Sequence, residues 1–233
     1  MLVYLLRRDG AVQLHHTPWR PSGPLLRDIL RVGLPASLSP VISNASIAVA
    51  TAFVGSYGTA ALAGFGVAAR LEYILVPIAF GFGTALTAMV ATNMGAGQTA
   101  RAVRVAWVGG ALVAAITGTI GVATALMPAL WMNLFTDAGE VRAFGASYLN
   151  IVGACYTFFG LGLALFFASQ GAARLFWPLT ASVGRLVILA VGGWLCVHLF
   201  QAPASALFGV IALSFVVYGS TIALAIRLGS WTR

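Results

Sequence analysis

The sequence predicts an all-α integral membrane protein, a bundle of six transmembrane helices. Three observations carry this. Of its 233 residues, 60% are hydrophobic and only 8% charged, with a mean hydropathy of +0.96. A water-soluble domain carries about 25% charged residues, so this chain cannot cover a water-facing surface. Second, apolar runs of helical length recur along the whole chain, with polar or arginine-bearing breaks between them. Third, all 13 basic residues are arginine, and most of them flank those runs.

Residues Met1 to Leu6 (MLVYLL) are too few to span a bilayer, and Arg7 and Arg8 follow the apolar stretch rather than precede it. That order is not a signal peptide; it reads as the end of a helix that begins earlier. Residues 10–24 hold Pro18, Pro21, Pro24 and Gly23 and read as a linker, in which His15 and His16 are expected to be solvated rather than ligands. Leu25 to Arg31 reads as a short amphipathic approach along the membrane surface. Gly33 and Pro35 then open the first span, Leu34 to about Tyr57. Ser37, Ser39, Ser43, Asn44, Ser46 and Thr51 fall on one broad side of it, opposite Val41, Ile42, Ala45, Val49 and Ala52. A membrane helix with a polar side faces protein or water, by packing or by lining a cavity.

Gly58 to Ala69 is uncharged, glycine-rich and too short to span, so an interfacial loop or short helix is expected. Tyr73 to about Thr92 is the second span: at ~1.5 Å per residue it crosses the ~30 Å hydrocarbon core. After Glu72 no charge appears until Arg101. Glu72 is expected at the extracellular mouth of this span. The third span runs from about Val105 to Leu126, the loop Pro128 to Gly139 follows with Trp131 at the interface, and the fourth span runs from about Phe144 to Ala168. Leu186 to Ile226 is uncharged for about 41 residues, too long for one helix, and His198, Gln201 and Pro203 divide it. The fifth span is therefore about Pro178 to Phe200 and the sixth about Ser205 to Ile226. Arg185, two turns inside the fifth, is expected to snorkel to the interface.

Arginine counting orients the spans. One side receives Arg7, Arg8, Arg20, Arg27, Arg31, Arg101, Arg104, Arg174, Arg227 and Arg233; the other receives Arg70 and Arg142. Positive charge holds the cytoplasmic side, so both termini are expected in the cytoplasm. The same topological role accounts for the net charge of +8, and nucleic acid is not an expected partner. Cys155 and Cys196 lie in apolar runs and read as free thiols. No catalytic motif is present, and Asp137 and Glu140 mark a loop, so no enzyme is expected. The second span ends in NMGAGQTAR and the fourth in SQGAAR, a weak internal echo.

The stretches ILRVGLPASLSP, RLEYILVPIAFGFGTALTAMVATNMGAG and SQGAARLFWP, in that order, resemble the second half of multidrug and toxic compound extrusion (MATE) transporters. The resemblance rests on Gly33 and Pro35, on Asn93, Gly95, Ala96 and Gly97, and on Gln170 and Gly171. It implies one six-helix lobe of a two-lobe transporter, helices seven to twelve. Residues 1–31 are then a helix end plus the inter-lobe linker, 32–228 the lobe and 229–233 a tail. The implied function is secondary active export of amphipathic, often cationic compounds in exchange for H+ or Na+, from a multi-pass position in the bacterial inner membrane. A lipid-linked oligosaccharide flippase of the same superfamily and a non-transporting membrane fragment are the alternatives. Besides that ion, the resemblance implies no cofactor. The partners it implies are membrane lipid, small amphipathic substrates and either a first six-helix lobe or a second half-transporter chain.

The polar side of the first span makes Ser43, Asn44, Thr84 and Tyr156 candidates for a substrate cavity shared by the first, second and fourth spans. In one branch of the family, cation binding uses a Glu on the seventh helix and an Asp on the tenth. The corresponding places here are about Ser43 or Asn44 and Phe159 or Gly160, and none is an acid. A neutral hydroxyl or amide does not exchange a proton near neutral pH. The lobe is therefore expected to depend on an acid in the other lobe.

Overall fold

The computed structural model describes residues 23–231, in two units: Met1–Leu34, and Pro35–Arg233. The MLVYLL stretch, residues 10–22 with His15 and His16, and the last two residues of the tail lie outside the described part. Helix α1 covers Gly23–Gly55, with Pro35 and Pro40 inside it, so Gly33 and Pro35 do not start the helix. Proline removes one backbone donor and leaves the carbonyl four residues before it without one. Further along the same helix, Asn44 Nδ2 donates to the Pro40 carbonyl (2.9 Å), Ser46 Oγ to that of Ile42 (2.8 Å) and Thr51 Oγ1 to that of Ile47 (2.7 Å).

Gly58 to Ala69 folds as a short helix, α2 (Thr59–Ala69), with Ala61, Gly64, Phe65 and Ala68 buried. A break at Arg70–Leu71 separates it from α3, Glu72–Gly95. Next come α4, Thr99–Leu126, and a short α5, Pro128–Met132, inside the expected loop. The fourth span is two helices, α6 (Gly139–Val152) and α7 (Tyr156–Gly171), joined by a 3-10 turn at Gly153–Cys155. Helix α8, Phe176–Trp194, ends in a π turn, Leu195–Leu199, and α9, Ala204–Arg227, closes the bundle. Six segments are long and apolar enough to cross a membrane, and no strand occurs among the described residues.

Lipid is as apolar as leucine, so these helices associate by close packing of small residues rather than by hydrophobic burial. The main pairs are α4 with α7, α8 with α9, α3 with α7 and α2 with α6. The 3-10 turn lies where α4 touches the chain: a Cβ on Gly153 would lie 2.6 Å from the Gly121 carbonyl oxygen. Helix α6 anchors α2 through Gly64, whose added Cβ would lie 2.6 Å from the Val141 carbonyl oxygen. Trp131 Nε1 donates to the Val67 carbonyl (3.1 Å), which fixes α5 beneath α2.

Two helix ends share one cap. At the end of α3, the amide of Gln98 donates to Asn93 O (2.8 Å) and that of Gly97 to Met94 O (3.0 Å), with Gly97 at φ 72°. At the end of α7, the amide of Arg174 donates to Ser169 O (2.9 Å) and that of Ala173 to Gln170 O (3.0 Å), with Ala173 at φ 54°. Both are Schellman motifs, which absorb the last free carbonyls of a helix and place one residue in the left-handed region. The echo between NMGAGQ and SQGAAR is therefore a shared backbone geometry.

Candidate functional site

The core of the second unit gathers the aromatic side chains of α2, α6, α7 and α9. Phe65 meets Tyr148 edge-on (5.2 Å), Tyr148 meets Phe208 (5.4 Å), and Phe159 lies against Phe215 (4.8 Å). Two charged side chains enter this apolar setting. Glu72, in the first turn of α3, is only partly buried, and its Oε1 accepts hydrogen bonds from Tyr148 Oη (3.3 Å) and Tyr156 Oη (3.4 Å). Arg185, from the middle of α8, is 7% exposed. Its guanidinium carbon stands 4.6 Å from the Phe215 ring centroid and 5.4 Å from that of Phe159. Its Nε is buried with no hydrogen-bond partner.

Glu72 and Arg185 line one cavity of about 50 Å³, together with Ser46, Tyr73, Tyr148 and apolar groups of α1, α2, α8 and α9. A water occupies roughly 30 Å³ in the liquid, so one or two waters fit. A larger groove of about 890 Å³ on α4 and α7, which includes Trp107, Ala111, Gly118 and Thr157, has no ionisable side chain in its lining. The small cavity, by contrast, brings together a carboxylate and a guanidinium.

One expectation is corrected here. Arg185 does not snorkel. It sits between two aromatic rings that face its cation with their negative quadrupole. Glu72 opens α3, partly exposed, where two phenols bond it and it lines the small cavity. The sequence signal was an intramembrane arginine, which by default points to a partner. What hid its shared cavity with Glu72 is that α3 and α8 lie more than a hundred residues apart in the chain.

The other residues singled out in the sequence are placed as follows. Tyr156 is fully buried and bonds Glu72. Ser43 is partly buried; Asn44 and Thr84 are exposed, and Thr84 Oγ1 donates to Gly81 O (3.0 Å). These three are not in the lining of the Glu72 cavity, which takes Ser46 from α1 instead. Gly33 has open space around it, and Pro35 lies within α1. Asn93, Gly95, Ala96 and Gly97 form the α3 cap, with Asn93 Nδ2 donating to Met89 O (2.7 Å). Gln170 accepts in the α7 cap, and a Cβ on Gly171 would collide with the Thr87 carbonyl oxygen on α3.

Comparison with known proteins agrees with this architecture. The family model MatE matches residues 35–195, more than half of the chain. The probable multidrug resistance protein YpnP of Bacillus subtilis (strain 168) is 28% identical over 209 residues, covering 87% of this chain and 45% of YpnP. The probable multidrug resistance protein NorM of Agrobacterium fabrum is 31% identical over 140 residues, covering 58% of this chain and 30% of NorM. The chain thus spans less than half the length of these curated relatives. Among solved structures, a MOP superfamily transporter from Pyrococcus furiosus superposes with a TM-score of 0.81 at 21% identity, covering 98% of this chain and 52% of that one. The MATE transporter ClbM in complex with Rb+ superposes with a TM-score of 0.80 at 21% identity, covering 89% and 48%. The bundle therefore has the fold of one lobe of such a transporter, and the chain belongs to the MatE family.

Proposed function

We propose that this chain is the C-terminal six-helix lobe of a secondary active multidrug efflux transporter, exporting amphipathic, often cationic compounds in exchange for an ion. The observation that carries the reading is the MatE match over residues 35–195, on a bundle that superposes along 98% of its length on about half of a longer transporter. YpnP and NorM, both named as probable multidrug resistance proteins, support the class of substrate. The arginine asymmetry supports a bacterial inner-membrane position with both termini in the cytoplasm. The partner is a first six-helix lobe, because alternating access works by one repeat moving against another.

The test is ethidium efflux from cells and vesicles. Residues 1–233 alone are expected to insert but to give no gradient-dependent efflux. The same chain fused behind the first six helices of YpnP is expected to give it. Robust gradient-dependent efflux by the chain alone, absent from an empty-vector control, overturns the half-transporter reading. A fusion that inserts and folds but exports nothing under either an H+ or a Na+ gradient overturns the efflux reading.

A further inference from the structure

We propose that the pocket between the start of α8 and the end of α9 binds an anionic phospholipid, with the phosphate at Arg174 and Arg227 and the acyl chains against the apolar walls; this rests on the reading of the chain as a membrane-spanning lobe with these helix ends at the cytoplasmic face. The pocket has a volume of about 830 Å³, and its lining includes residues 173–177, Thr221, Leu224, Leu228 and Ser230. Arg174 stands in that lining, exposed, and its guanidinium has no hydrogen-bond or ion-pair partner among the described residues. Arg227, also exposed, lies three residues beyond Leu224, a neighbouring position on the helix surface. No acid lines the pocket, and α8 begins there with neither an acidic residue in its first turn nor a side-chain cap. The free amides and dipole of that helix start add to the positive potential.

The walls decide between a lipid and a soluble anion. Phe176 is 72% exposed, Trp177 44%, Leu224 55% and Leu228 73%. A soluble anion would leave these groups bare, whereas acyl chains cover them. Trp177 suits the headgroup depth, where an indole turns its ring to the chains and its N–H to phosphate or glycerol oxygens. Basic pockets between membrane helices on the cytoplasmic side are a recurrent setting for anionic headgroups. Because the walls are exposed, lipid enters sideways from the bilayer and needs no passage through the bundle. The groove on α4 and α7 differs: its lining holds no charged side chain, so nothing in it selects one headgroup over another. Arg174 directly follows the α7 cap, its amide donating to Ser169 O. A headgroup shared by Arg174 and Arg227 therefore ties the turn between α7 and α8 to the end of α9.

Tryptophan quenching on the full 233-residue chain in liposomes tests this without any transport step. The probe is phosphatidylglycerol brominated near the headgroup end of its chains, diluted in phosphatidylcholine and compared with brominated phosphatidylcholine at the same mole fraction. In each background the Trp177 signal is the difference made by W177F. That signal is expected to be quenched several-fold more effectively by the brominated phosphatidylglycerol. An arginine near the surface is worth about fivefold, so R174Q is expected to lower the preference by that factor and R174Q/R227Q to remove it. R101Q, which removes a positive charge at another helix end, is expected to leave it unchanged. Circular dichroism checks that each variant is folded. If R174Q/R227Q does not fold, the wild type at high salt replaces it, where screening is expected to weaken the preference. Equal quenching by the two lipids in the wild type, a preference kept in folded R174Q/R227Q, or one indifferent to salt overturns the site. An equal loss in R101Q reduces it to general charge attraction and overturns it as well. Displacement of the brominated lipid by inorganic phosphate at matched ionic strength gives the pocket to a soluble anion and overturns the lipid. Reversed cysteine labelling near Gly97, with the lipid preference intact, counts against the cytoplasmic placement instead.

Discussion

At the residue scale, Arg185 and Glu72 line one cavity and are expected to be coupled through their charges. Leaving either charge unpaired in the core costs stability, about 3–5 kcal/mol for a fully buried partner. Removing both is expected to cost less than the sum of the single changes, by about 0.5–3 kcal/mol. Thermal unfolding in detergent of E72Q, R185M and the double variant measures that coupling, and strict additivity would argue that the two charges ignore each other. Each tyrosine contributes more modestly. Y148F and Y156F keep the ring packing against Phe208 and Phe215 and lose one hydrogen bond to Glu72, worth about 1 kcal/mol. Two cap residues give an opposite-signed pair. Gly97 sits at φ 72° and Ala173 at φ 54° in the same motif. A side chain in the left-handed region costs about 1–2 kcal/mol, so G97A is expected to lower the unfolding temperature and A173G to raise it.

At the element scale, the bundle depends on a few close backbone approaches. Helix α7 meets α3 at Gly171, where a side chain would run into the Thr87 carbonyl, and Thr87 Oγ1 ties the same spot to Phe167 O (2.9 Å). Helix α4 meets the 3-10 turn at Gly121 and Gly153. G171V and G153V are therefore expected to destabilise by about 1–3 kcal/mol or more through overpacking. G184V is the control, since nothing lies within 4 Å of a Cβ at Gly184. Unfolding midpoints read by circular dichroism decide it: equal losses in all three variants would refute the packing account. The sequence showed these glycines as composition only, because which carbonyl each one meets depends on a helix elsewhere in the chain.

For the whole molecule, the arginine tally sets a topology that a labelling experiment reads directly. With Cys155 and Cys196 replaced, a cysteine near Gly139 is expected to react with an impermeant thiol reagent from outside. One near Gly97 is expected to react only from inside. The ends of α3 and α7 support a common side for Gly97 and Ala173, because Gly83 and Gly171 of the two helices pack in the same running direction against Phe167 and Thr87. Reversed labelling would show that charge asymmetry does not orient this chain.

The six spans were legible from sequence because membrane insertion is read locally: a run of about 20 apolar residues and its flanking arginines suffice. Motif residues Asn93 to Gly97 were legible for the same reason, since a helix cap is built within six residues. The break at Gly153 and the shared cavity of Glu72 and Arg185 were not. Each depends on what another segment places nearby: a carbonyl of α4, and an aromatic layer from α7 and α9 that holds a guanidinium away from water. The chain by itself specified which segments enter the membrane and where they end; only the packed bundle decided which charges stay inside it, because burial of a charge is set by its neighbours in space rather than by its neighbours in sequence.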